Sequence, residues 1–179
     1  MNKKVLNYEL IGFVFTCVAG TLLHFAYDWS NQSTFAALFA PVNESVWEHM
    51  KLLFFPYFAY AVYERVRLDK DKFNVFFAKY AGIVSGIAVT LGIFYLSQAV
   101  AGQNIPWVNI ASFFAGVAVA YSVSCLLINS SVGSGFPNGI CLALFIITAM
   151  VFFLFTFYPP IVSLFEDPQN FTYGIGRVK

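Results

Sequence analysis

Charge is scarce in this 179-residue chain: Asp, Glu, Lys and Arg together make up 11% of it, and the formal net charge is +1. The ten basic side chains fall in short clusters rather than along a stripe. That excludes a nucleic-acid surface, which has to displace counterions along its length. Cysteine is also rare. Cys17, Cys125 and Cys141 each lie inside an apolar run, with no C-x-x-C spacing. They read as small core hydrophobes, which leaves no disulfide framework and no cysteine zinc site. Histidine is rarer still, with only His24 and His49, and neither H-E-x-x-H nor E-x-x-H occurs. No diagnostic metal motif is therefore present. There is also no internal repeat of the kind that many secondary transporters carry.

Apolar surface, in contrast, is abundant. The chain is 59% hydrophobic and 20% aromatic, more than a soluble fold of this size can hide. A membrane span needs about 20 largely apolar residues, because a helix rises about 1.5 Å per residue against about 30 Å of hydrocarbon. Five stretches reach that length, over residues 8–28, 45–66, 74–101, 106–129 and 137–158. Each is expected to be helical, since an unpaired backbone amide in lipid costs several kcal/mol. The fold class is thus read as all-α: one polytopic transmembrane bundle of about five helices over residues 1–179, with a short tail from 159 to 179. Lys3 and Lys4 precede the first run as in a signal peptide, but the run is too long and lacks a small-x-small exit. It reads as the first span. The connectors, including residues 31–43 with Pro41, read as loops, and Pro56 predicts a kink in the second span.

Lys3, Lys4, Arg65, Arg67, Lys70 and Lys72 fall on one side of these spans, against Lys51, Arg177 and Lys179 on the other. The positive-inside rule then puts the N-terminus inside and the C-terminus outside. Trp29, Trp47 and Trp107 come to the outer interface on this reading. Glu9 and Lys79 lie near the inner one, where snorkelling accounts for them, and residues 64–72 form a solvated loop. Gly82, Ser85, Gly86 and Gly92 make a small-residue face for packing inside the bundle or against a protein partner.

The informative polar residues gather at the outer ends of the first two spans. His24 and Asp28 stand four apart on one helical face, and the second span opens with Asn43, Glu44, Ser45, Glu48, His49 and Lys51. Such groups in a span usually face a bundle interior or a water cavity, so an outward-facing polar pocket is expected. One reading makes His24, His49 and one or two of Asp28, Glu44 and Glu48 ligands of a divalent metal such as zinc, with Asp28 the first choice and Glu44 or Glu48, where not a ligand, as general base. Asn43, Ser45 and Lys51 would then bind a polar headgroup. A second reading is structural: Ser45 and Glu48 form a capping box, Lys51 pairs with Glu48, and His24 bonds Asp28. A third makes His24 and Asp28 a proton or solute path. The tail is expected to fold back over this face as a lid. It would bring Glu166 and Asp167 near as added ligands or as water-facing turn residues before Pro168.

The segments HFAYDWS (24–30), PVNESVWEHMKLLFFP (41–56) and LFEDP with TYGI (164–175) resemble a family of small uncharacterised multi-pass membrane proteins from Gram-positive bacteria. The resemblance covers the whole chain. It implies a bacterial cytoplasmic membrane and carries no catalytic or binding role to any residue. A looser similarity is to membrane-embedded zinc hydrolases of the ceramidase type, which place His, Asp and Ser on span ends; this chain has fewer spans, fewer histidines and no late paired-histidine motif. The expected function is a membrane protein whose outer pocket takes a divalent cation or polar headgroup, with metal-dependent hydrolysis of a lipid or envelope small molecule. A transporter component and a non-catalytic membrane subunit or scaffold are the alternatives. The lipid bilayer is the expected partner and nucleic acid is not.

Overall fold

A helix buried in hydrocarbon pairs its own backbone, and the long apolar runs do so. The computed structural model describes residues 2–68, 74–103, 105–130, 132–133 and 135–178, with the backbone alone for 177 and 178. The helices are α1 (Lys3–Trp29), α2 (Thr34–Phe39), α3 (Val46–Arg67), α4 (Val75–Ala101), α5 (Pro106–Ile128) and α6 (Asn138–Phe157). A 3-10 turn, Ser163–Phe165, follows, and then a minimal hairpin of β1 (Thr172–Tyr173) and β2 (Arg177–Val178). The five long helices form the expected all-α bundle. Lys70, Lys72 and Lys179, used for the expected orientation, lie outside the described residues.

Four helices, α1, α4, α5 and α6, are long and apolar enough to cross a membrane. Their outward faces carry large apolar side chains, among them Ile11 and Val18 on α1 and Ile147 and Met150 on α6. The stretch read as the second span differs. At 22 residues α3 is about 33 Å long, enough to cross, but Glu48, His49, Lys51, Glu64, Arg65 and Arg67 keep it from being apolar enough. It is the axis of the bundle, packed by α1, α4, α5 and α6. Leu53, Phe54, Tyr57 and Ala61 on it are fully buried.

This central position changes several expectations. Trp47 is half-buried and packs against the core: its ring lies 4.8 Å from Phe152 and 4.8 Å from Phe165, centroid to centroid. Trp29 and Trp107 are exposed. Glu64 is buried rather than part of a solvated loop. Glu9 and Lys79 do not snorkel either. Lys79 Nζ sits 2.7 Å from Glu9 Oε2 and 2.7 Å from Glu64 Oε2, with all three side chains closed off from solvent.

The segment 31–43 is not all loop. Ser33 caps α2 by accepting the Phe35 amide at 3.3 Å, and six residues are too few to display a helical period in sequence. Gly82 and Gly86 do serve close packing within the bundle. A Cβ at Gly86 would come 2.6 Å from the Gly116 carbonyl oxygen, so α4 and α5 touch backbone to backbone there.

A candidate metal centre

One end of the bundle joins the last turns of α1 to the first turn of α3. Gly20 makes this approach feasible: a Cβ there would stand 2.5 Å from the Leu52 carbonyl oxygen, so any larger residue would push α1 off α3. His24, one turn further on, meets His49, their Nε2 atoms 3.2 Å apart. Glu44, in the loop before α3, reaches both imidazoles. Its Oε2 is 3.4 Å from His49 Nε2 and its Oε1 is 3.9 Å from His24 Nε2. One ligand atom from each of the three lies within 4.8 Å of the others.

These separations suit a metal. With bonds of about 2.0 Å, the ligand atoms of a tetrahedral zinc lie about 3.3 Å apart. His49 Nδ1 stands 2.9 Å from the Ser45 carbonyl oxygen, to which only an Nδ1–H can donate. That bond turns Nε2 toward His24 and Glu44. All three side chains are partly open to solvent, so the site is reachable.

Asp28 is not in this group; it lies exposed one turn beyond His24, and Glu44 takes the third place. Glu48 points inward, nearly fully buried, with Oε2 2.6 Å from Lys51 Nζ and accepting the Val42 amide at 3.1 Å. Its Oε1 accepts from Thr156 Oγ1 of α6 at 3.2 Å. Lys51 is buried too and also donates to Ala37 O at 2.9 Å and Ala40 O at 3.4 Å, tying α2 to α3. Ser45 caps α3 by accepting the Glu48 amide at 3.3 Å. Its own amide goes to Asn43 Oδ1 at 2.9 Å, while Asn43 Nδ2 donates to Gly174 O at 3.1 Å. Glu48, Asn43, Ser45 and Lys51 thus form a frame around the loop that carries Glu44.

The tail folds back onto this frame. Asp167, expected to face water, is 2% exposed. Its Oδ1 accepts the Gln169 amide at 2.8 Å, and its Oδ2 accepts from Asn170 Nδ2 at 3.3 Å and the Glu44 amide at 3.5 Å. Neither Asp167 nor Glu166, which accepts from Tyr173 Oη at 2.6 Å, joins the ligand group.

The chain belongs to DUF6512, a family of unknown function. The family model spans residues 1–175, so the whole candidate site falls within it. No curated protein and no solved structure matches the chain. The DUF6512 match agrees with an uncharacterised family and assigns no chemistry to the cluster. Thr156 is a support of the site that sequence reading missed, whereas Asp167 was placed near this face and proves to be a buried turn residue that holds the Glu44 loop. The run Asp167-Pro168-Gln169-Asn170 did carry a signal, since Asp before such residues bonds the backbone two positions on. Thr156 carried none.

Proposed function

We propose that this membrane protein binds one divalent transition-metal ion, zinc by its donor set, through His24, Glu44 and His49, and uses it to hydrolyse a lipid headgroup or envelope substrate. The observation that carries this reading is the convergence of three ligand atoms, from α1, α3 and the loop between them, within 4.8 Å. Two imidazoles and a carboxylate form a recurrent set for catalytic zinc, leaving a fourth place for water. Zinc lowers the pKa of that water to about 7 and so supplies a nucleophile. With Glu44 as ligand and Glu48 locked in its ion pair, Asp28 is the carboxylate we place as general base. Lys3, Lys4, Arg65 and Arg67 gather at the opposite end of the bundle, which supports a site at the outer face of a bacterial cytoplasmic membrane.

Cobalt titration of tag-free protein tests the metal site. Stoichiometric binding, with the intense visible band of tetrahedral cobalt in wild type and none in His24→Ala, is expected. An Asp28→Asn variant should keep the cobalt band while slowing hydrolysis about 100-fold or more. Wild-type protein that binds no cobalt would exclude the proposal.

A further inference from the structure

The opposite end of the bundle holds a charged group that the metal site does not use. Glu9 from α1, Glu64 from α3 and Lys79 from α4 meet in a space closed by Ser124 of α5, and none is more than 3% exposed. Lys79 Nζ contacts one oxygen of each carboxylate at 2.7 Å. Ser124 Oγ lies 2.7 Å from both Glu9 oxygens. Around the ammonium stand the rings of Tyr57, Tyr60 and Tyr121, with centroids 5.1, 5.8 and 4.4 Å away. The polar edges of those rings are turned elsewhere. Tyr57 Oη donates to Ala120 O at 3.3 Å, Tyr60 Oη donates to Tyr8 O at 2.7 Å, and Tyr121 Oη pairs with Thr16 Oγ1 at 2.8 Å.

Two carboxylates against one ammonium leave a net charge of −1 in a closed, low-dielectric space. No second cation faces the cluster among the described residues; the other titratable groups near it are Tyr57 and Tyr60 of α3 and Tyr121 and Cys125 of α5. An uncompensated buried charge is the costly state, and one proton removes it. A second, independent observation points to where that proton goes. Glu64 Oε1 is buried and has no hydrogen-bond partner, a position far less costly for a neutral carboxyl than for an anionic one.

We propose that Glu9, Glu64 and Lys79 form a proton-binding site, in which the two carboxyl groups hold one exchangeable proton between them. All three residues lie within two turns of the ends of their helices that face the N-terminal side, so the proton exchanges with that side. Its release changes the cluster from neutral to −1 at the junction of four helices. The site is separate from the histidine cluster, and its test is independent of metal.

Infrared spectra of the full-length protein in lipid vesicles, recorded from about pH 5 to about pH 9 across the range around neutral, read the proton directly. A protonated-carboxyl C=O band that shifts in deuterated water is expected in wild type, and it should be absent from Glu64→Gln or from Glu9→Gln. Asp28→Asn should retain it. Carbon-13 labelling of the glutamates in wild type makes the same reading without any variant, as one protonated glutamate carboxyl. A spectrum with no protonated glutamate across this range, or with a band that both glutamine variants keep, would overturn the proposal.

Discussion

Replacing Lys79 with methionine is expected to cost about 3–5 kcal/mol of stability, the usual effect of removing one partner from a buried charge group. Methionine nearly matches the length of the lysine stem, so the packing against Tyr57, Tyr60 and Tyr121 is largely kept and lost charge accounts for the effect. Glu9 and Glu64, both of which contact the Lys79 ammonium, are then left with no cation beside them. Thermal unfolding in detergent, followed by circular dichroism, should show a clear fall in Tm. Adding Glu64→Gln to Lys79→Met should recover part of the loss, because a neutral amide removes the repulsion between the two carboxylates whenever their shared proton is released. A Lys79→Met protein as stable as wild type would mean that the ammonium is not the counter-ion of this group.

Lys51→Met should be the second large effect, for a related reason and with a further consequence. Lys51 neutralises Glu48 and ties the carbonyls of Ala37 and Ala40 to α3. Its removal leaves Glu48 with only the Val42 amide and the Thr156 hydroxyl. A loss of about 3 kcal/mol is expected, toward the lower end for a broken buried pair because these two bonds remain. The pair also sets the loop that carries Glu44, so metal affinity should fall about 10- to 100-fold, as for other losses of groups that orient ligands. A Glu48→Gln/Lys51→Met double variant should restore much of the stability and less of the affinity. Equal recovery of both would show that the pair acts on the fold alone.

These two buried groups also show where sequence reading reached its end. The long helices were legible because hydrophobic length against bilayer thickness is a one-dimensional property. His24 and His49 were legible as neighbours because a short connection brings the end of α1 beside the start of α3. Glu9, Glu64 and Lys79 were not, since they lie far apart in the chain and only the packing of α1, α3 and α4 brings them together. Each alone looks like a charge near a membrane interface. The sign that α3 is the axis was present in its sequence, as ionisable residues at both ends of an otherwise apolar helix. Lipid disfavours such residues, and burial among other helices accommodates them only in pairs. The spacing of His24 and Asp28 correctly described a shared helical face, but which carboxylate comes nearest the two imidazoles was left open in the sequence: by distance it is Glu44, a loop residue whose reach depends on Asn43, Ser45 and the tail.

The most direct test of the metal centre is elemental analysis of protein purified without added metal or a polyhistidine tag, beside a His24→Ala/His49→Ala variant of the same preparation. Close to one divalent transition-metal ion per chain in wild type, and none in the variant, is the predicted result. Metal absent from wild type even after incubation with zinc, or retained in full by the variant, would contradict it.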